Sequence, residues 1–266
     1  MPSTPLPAAF LPFLLLLSCF ASCGSAKSIL RTLPDDPSFR LSTGRSRSPN
    51  NQYCDSWRLS VETNNAGKWR TLPAKCISYV GAYMNGEKYQ SDSDVAAHDA
   101  LIFAKDLTLA GDGKDIWVFD VDETVLSNAP YYADNGWGSE SFNETSFDDW
   151  VYQAKAPALP SSIKLYNELL GLGFQVVFLT GRTEIQRNIT EQNLLDAGYH
   201  SWERLILRGD SDIGKKAVTY KSGKRAELEA EGYRIHGSSG DQWSDLLGLP
   251  MAARSFKLPN PMYYIS

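Results

Sequence analysis

Apolar positions along the chain fall into two kinds of segment. Runs of strand length, rich in β-branched and aromatic residues, lie at 115–121 (DIWVFDV) and 173–180 (GFQVVFLT). Shorter runs at 205–207, 233–236 and 255–258 read the same way. Stretches of helical length separate them, at 161–170, 184–197 and 222–231. An amphipathic helix is predicted over 91–109, capped by Ser91 or Asp92, with Val95, Ile102, Phe103 and Leu107 near one face. His98 falls on that side and reads as a packed, hydrogen-bonded histidine rather than a ligand. Strands that alternate with helices specify a parallel sheet covered on both faces. The fold class expected is therefore α/β. Residues 53–88, which carry two cysteines and clusters of aromatics, are expected to add a helical N-terminal extension of short helices.

The one long apolar run, residues 10–20 (FLPFLLLLSCF), has the length of a signal-peptide core and is too short to span a bilayer. The small residues Ala21, Ser22, Gly24, Ser25 and Ala26 follow it. Residues 1–26 are thus expected to be a cleaved signal peptide, and the chain to enter the secretory pathway toward the vacuole or the cell exterior. No membrane contact is expected after cleavage. Residues 27–52 are rich in Ser, Pro, Arg and Asn without a sustained period, and read as a flexible leader. The functional domain is then 53–266. Cys19 and Cys23 leave with the signal, so Cys54 and Cys76 remain as an even pair in an oxidising compartment. A bridge between them would stabilise the fold by about 3 kcal/mol on a chain-entropy argument. Two buried free thiols are the alternative.

Composition narrows the picture. At 266 residues, 42% hydrophobic and 21% charged, the chain is outside the disordered and collagen-like classes. Its net charge is −5, and no long Lys/Arg run is present, which weighs against a nucleic-acid polymer as partner.

The chemistry gathers at strand ends. Asp120 and Asp122 close the 115–121 strand and are followed by Glu123 and Thr124. Ligands of open parallel sheets sit beyond the carboxyl ends of strands. Two carboxylates there can divide labour, one as nucleophile or metal ligand, the other handling protons. A solvated acidic loop has the same local sequence. The second strand ends in Thr180-Gly181-Arg182, a hydroxyl, a free backbone N–H and a guanidinium that suit a phosphate. Lys221 stands at the head of a helix and can neutralise a phosphate or a carboxylate. Asp241 and Asp245 follow the fourth strand four residues apart, so they share a helix face. Oxygen ligands in small number suit Mg²⁺. A competing stretch, Leu205 to Asp212, also runs strand, Gly209, then the paired acids Asp210 and Asp212, with Lys215 and Lys216 after them. Its lysines follow the acids, the reverse of Lys221 and Asp241, and it is read as a surface loop. Asn143-Glu144-Thr145 and Asn188-Ile189-Thr190 are glycosylation sequons, the first in a polar loop near the site, the second in a helix.

Asp120-x-Asp122-x-Thr124, then Thr180, Lys221, Asp241 and Asp245, resembles the four-motif order of haloacid dehalogenase-type phosphatases. The stretches SWRLSVETNNAGKW, FDVDETVLSN, FLTGR, GDQWSDL and FKLPNPMYY are similar to those of plant acid phosphatases and vegetative storage proteins of the class B acid phosphatase group. The resemblance runs from about Cys54 to the C-terminus. It implies a Rossmann-like, haloacid dehalogenase-like sheet and hydrolysis of a small-molecule phosphate monoester. Asp120 would form an aspartyl phosphate, and Asp122 would protonate the leaving oxygen and then activate water. Thr124 would orient their loop. Asp120, the backbone carbonyl of Asp122, and Asp241 would hold Mg²⁺, with Asp245 behind them. Thr180 and Gly181 would bind phosphoryl oxygens, Lys221 would balance charge, and Arg182 would contact phosphate or substrate. The group also contains storage glycoproteins, so storage with weak or incidental activity is the second expectation. Retention of Asp120 favours the enzyme. A homodimer is left open.

Overall fold

The strand expected at 115–121 lies in the middle of a five-stranded parallel sheet in the computed structural model, which describes residues 48–69 and 71–265. The expected signal peptide, and the expected leader as far as residue 47, lie outside the described residues. In chain order the elements are α1 (Pro49–Glu62), α2 (Ile77–Met84), α3 (Glu87–Lys105), β1 (Asp115–Phe119), α4 (Ala129–Asp134), α5 (Glu144–Val151) and α6 (Pro160–Leu172). Then come β2 (Gln175–Thr183), α7 (Arg187–Asp196), β3 (Arg204–Arg208), α8 (Ala217–Ala230), β4 (Arg234–Gly240), α9 (Trp243–Leu246) and β5 (Arg254–Lys257). The strand order is β3-β2-β1-β4-β5.

The two-residue period of a strand sorts β1 between two cores. Trp117 and Phe119 pack with Val176 and Phe178 against Ala100 and Ala104 of α3, Leu165 and Leu169 of α6, and Leu194 of α7. Ile116 and Val118 face the other way, with Val177, Leu179 and Ile235 against Tyr220 and Leu228 of α8. Helices therefore cover both faces, as the apolar runs require. Each such side chain contributes roughly 1.5–3 kcal/mol when fully buried.

Three expectations are corrected. Helix α3 starts at Glu87 rather than 91, and its N-cap is Gly86, without a side-chain bond. Asp92 instead accepts hydrogen bonds from Arg58 Nη1 (3.1 Å) and the Tyr83 hydroxyl (2.9 Å). The buried residues of α3 are Ser93, Ala100 and Ala104, with Ala97, Leu101 and the expected Phe103 half-buried against the core and Leu107 just past the helix end, while Val95, Ile102 and His98 are exposed. Small residues let this helix lie close to its neighbours, so Phe103 and Leu107 face the core as expected but Val95 and Ile102 do not. β4 runs to Gly240, well past the apolar stretch 233–236. Its second half is Gly237-Ser238-Ser239-Gly240, because the Trp117 ring occupies the space over Gly237: an added Cβ there would stand 2.4 Å from ring carbons. Gly173 is not strand but the left-handed cap of α6, at φ 97°.

The extension is helical, as expected, and α1 begins at Pro49, capped by the Ser48 side chain, which accepts from Asn51 N (3.3 Å). Cys54 and Cys76 form a disulfide that ties α1 to the turn leading into α2. α1, α2 and the final residues of the chain share a third core containing Trp57, Val80, Met262 and Tyr264. Among the described residues no helix is long and apolar enough to cross a membrane.

Candidate active site

After Phe119 the chain leaves the sheet in a tight loop. Val121 O accepts from the backbone N–H groups of Thr124, Val125 and Leu126 (2.9–3.3 Å), and Glu123 takes the left-handed conformation at φ 57°. Asp120 N still donates to Ser239 O of β4 (3.0 Å), so this loop sits beside the end of that strand. The sheet order reverses here, since β1 is followed in space by β2 on one side and β4 on the other. Parallel sheets open a crevice at such a point.

Asp120, Asp241 and Asp245 converge in that crevice. All three are buried, and one carboxylate oxygen from each lies within 4.8 Å of the others. Asp245 comes near because Gly240 has no side chain; an added Cβ would meet Asp245 Cβ at 2.5 Å. Lys221, from the second turn of α8, donates to Asp120 Oδ1 and to Asp245 Oδ1 (2.6 Å). Thr124 Oγ1 lies 3.2 Å from Asp120 Oδ2 and 3.3 Å from Asp241 Oδ1, and accepts from Asp241 N (3.0 Å). Two of the three acids thus share one buried ammonium, and Asp241 has only neutral hydrogen-bond partners. Burial, followed by repulsion from Asp245, pushes the Asp120 carboxyl well above the usual carboxylate range despite Lys221. The same two causes push Asp241 up to about 7. Burial opposes the Lys221 charge, but Asp120 and Asp245 outweigh it and raise the ammonium pKa. An excess of buried negative charge on hard oxygen donors fits a divalent cation, which would replace protons.

Asp122 lies on the other side of the loop. Its carboxylate accepts from Arg182 Nε (3.2 and 3.1 Å) and Nη2 (2.7 Å), and from Asn128 Nδ2 (2.9 Å). Burial alone would raise its pKa, yet the Arg182 charge and these hydrogen bonds hold it below the usual value. Arg182 was expected to contact phosphate or substrate. It is instead buried, with Nη1 donating to Thr190 Oγ1 (3.2 Å) and the rest of its fork on Asp122. Thr180 Oγ1 accepts from Arg182 N (3.1 Å) and lies 3.5 Å from Asp122 Oδ2. Gly181 is exposed, and an added Cβ would meet nothing within 4 Å.

Residues with no sequence-assigned role complete the site. Asn128 N and Nδ2 donate to Glu123 (2.5 and 3.1 Å), whose carboxylate also accepts from the Tyr263 hydroxyl (2.8 Å). Trp150 Nε1 donates to Asn128 Oδ1 (2.8 Å). Burial, with Asp122 beside it, pushes Glu123 up to about 8. Asn128 and Tyr263 both fall inside stretches that carried the family resemblance, the available signal. Of the sequons, Asn143 is exposed and caps α5, accepting from Ser146 N (3.1 Å). Asn188 is exposed on α7. Asp210 and Asp212 lie on the turn after β3, away from the acid cluster. Asp212 pairs with Lys215 (2.7 Å) and Lys224 (3.7 Å).

The chain is also similar to known proteins. A family model described as HAD superfamily, subfamily IIIB (acid phosphatase) matches residues 39–266. Acid phosphatase 1 of Solanum lycopersicum is 55% identical over 212 residues, 80% of this chain and 83% of that protein. A stem 28 kDa glycoprotein of Glycine max is 47% identical, covering 85% of this chain and 89% of the relative. Vegetative storage protein 2 of Arabidopsis thaliana is 40% identical, covering 80% of each. The class C acid phosphatase of Bacillus anthracis, solved with tungstate bound, shares the fold at a TM-score of 0.55 and 23% identity, over 71% of this chain and 85% of that one.

Proposed function

This chain belongs to the acid phosphatases of HAD superfamily subfamily IIIB, and on that premise we propose that it hydrolyses small phosphate monoesters through a phosphorylated Asp120. The observation that carries this reading is the buried Asp120, bonded to Lys221 beside Asp241 and Asp245. An Asp120 carboxylate oxygen attacks phosphorus, and the bond from phosphorus to the leaving oxygen breaks. Asp122 gives that oxygen its proton. It then takes a proton from water, whose oxygen attacks phosphorus and releases inorganic phosphate and free Asp120. Arg182 and Asn128 hold the Asp122 carboxyl in one place for both proton transfers. Thr180 and the Gly181 N–H bind phosphoryl oxygens. Lys221 offsets the charge of a carboxylate meeting a phosphate.

Mg²⁺ would be held by Asp120, Asp241 and the Asp122 backbone carbonyl, with Asp245 behind them. When bound it supplies positive charge to the phosphoryl oxygens. The Asp122 side chain, turned to Arg182, stays free for proton transfer. The chain passes through the secretory pathway to the vacuole or cell exterior, with glycans at Asn143 and Asn188. A storage role is the second reading, raised by the name of the Arabidopsis thaliana relative. Retention of Asp120 with its lysine favours catalysis over it.

Purified mature protein, assayed on a panel of phosphate monoesters across pH with and without Mg²⁺, tests the proposal. Asp120→Asn should lose at least about 10⁴-fold in turnover while keeping the fold. A folded Asp120→Asn protein with near-wild-type turnover would exclude Asp120 as nucleophile, and a wild type inert toward the whole panel would favour storage.

A further inference from the structure

Asp241 is oriented from outside the sheet. Its Oδ2 accepts two amides, Gln242 Nε2 and Asn260 Nδ2, both at 2.7 Å. Two neutral donors on one oxygen fix the plane of the carboxylate. They leave Oδ1 on the side of Thr124 and Asp120, and they add no positive charge to compete with a cation.

Asn260 is itself held on three atoms. It is fully buried, its Oδ1 accepts from Met262 N (2.9 Å), and its backbone N–H donates to Glu62 Oε1 (2.9 Å). Glu62 is the last residue of α1. Its second oxygen accepts from Lys257 Nζ (2.8 Å), at the end of β5. α1 is joined to this closing segment nearby, with Trp57 Nε1 donating to Pro261 O (3.4 Å) and Trp243 Nε1 to Val61 O (3.2 Å). The chain of contacts therefore runs from α1 through Glu62 and Asn260 to Asp241.

We propose that Asn260, aimed by Glu62, is a positioning residue that sets the Mg²⁺ affinity of Asp241, so that the N-terminal helix is a working part of the active site. The inference rests on the reading of Asp241 as a metal ligand. Glu62 has no contact with the acid cluster among its hydrogen bonds and acts through the direction it gives Asn260.

Mg²⁺ titration of the metal-stripped protein by calorimetry tests it, alongside melting curves of the same samples. Asn260→Ala should weaken Mg²⁺ binding by about 10- to 100-fold, the usual loss when a partner behind a metal ligand is removed. Glu62→Ala should weaken it less, in the same direction. A merely structural role would lower the melting temperature and leave the Mg²⁺ dissociation constant of the folded protein unchanged; that result overturns the proposal. Where Asn260→Ala does not fold, folded Glu62→Ala decides, and wild-type affinity there also overturns it. Asp241→Ala separates the two readings. Loss of Mg²⁺ binding in Asp241→Ala with full binding in the other variants defeats this inference alone. Full binding in Asp241→Ala defeats the metal assignment beneath it.

Discussion

Two loops of this molecule look alike in sequence: each leaves a strand through glycine and carries two acids. After β3 come Gly209, Asp210 and Asp212; β4 ends on Gly240, and Asp241 and Asp245 follow. In the first, one buried carboxylate, Asp212, pairs with Lys215 and with Lys224, which it shares with Glu227. In the second, two buried carboxylates join a third, Asp120, around the single Lys221. The buried acid of the β3 loop is thus neutralised by lysines, and its other acid, Asp210, lies exposed to water. The β4 loop carries an excess of negative charge that calls for a cation. What separates them is sheet order. β4 lies against β1, whereas β2 stands between β1 and β3, so the β4 loop alone reaches the Asp120 crevice.

The strongest way to break this contrast is to remove one acid from each loop. Asp241→Ala should reduce turnover by more than about 100-fold and abolish the Mg²⁺ response, since it takes away a metal ligand. Asp210→Ala, on an exposed turn, should leave both within about twofold, because surface substitutions rarely matter beyond ±0.5 kcal/mol. Metal titrations scored by activity check both. Loss of metal-dependent activity in the Asp210 variant but not in the Asp241 variant would move the metal site to the β3 loop.

Much of this distinction was legible in the chain. The apolar runs at β1 and β2 and the order of Asp120, Thr180, Lys221 and Asp241 placed the main groups. A lysine before the acids, rather than after them, already separated Asp241 from Asp210. Other features were hidden for physical reasons. The end of β4 has no apolar pattern, because the Trp117 ring fills the space over Gly237 and Asp245 the space over Gly240. The fully buried residues of α3 are alanine and serine, which carry little hydrophobic signal. Arg182 sits in a motif that reads as a phosphate cradle, and its rotation inward depends on Thr190 and Asp122, 8 and 60 residues away. Glu62 meets Asn260 across 198 residues, a pairing that no local spacing announces.

A smaller effect concerns stability. In metal-free protein Asp241 titrates at about 7, and Asp120 is also raised, so the folded state keeps protons that the unfolded chain releases near pH 4. Stability from this loop is full below pH 4 and falls as pH rises toward and through 7. The chelated protein should therefore melt several degrees lower at pH 7.5 than at pH 5, on the order of a few kcal/mol. Mg²⁺ should restore most of the difference at pH 7.5 and little of it at pH 5, where protons compete for the carboxylates. Thermal melts at the two pH values, with chelator or excess Mg²⁺, measure it. A chelated protein that melts higher at pH 7.5, or an equal gain from Mg²⁺ at both values, contradicts the charge excess assigned to the β4 loop.

The smallest effect sharpens the contrast most, because the β3 loop should titrate in the opposite sense. The Lys215 hydrogen bond outweighs burial, and with Lys224 and the Gly209 N–H it holds the Asp212 carboxyl below its ordinary value. The folded state thus gives up this proton before the unfolded chain does. Its stabilisation is present above about pH 4 and is lost as pH falls below that. Both lysines remain partly open to water, so screening keeps the contribution within about 1 kcal/mol. Asp212→Asn should lower the melting temperature by at most a few degrees at pH 7, less at pH 3.5, and equally with or without Mg²⁺. Turnover should be unchanged, since no hydrogen bond or ion pair of Asp212 reaches the acid cluster. A loss that depends on Mg²⁺, or one that grows as pH falls, would show that the β3 loop is coupled to the metal site after all, and that sheet order does not divide the two loops as cleanly as their charge balance implies.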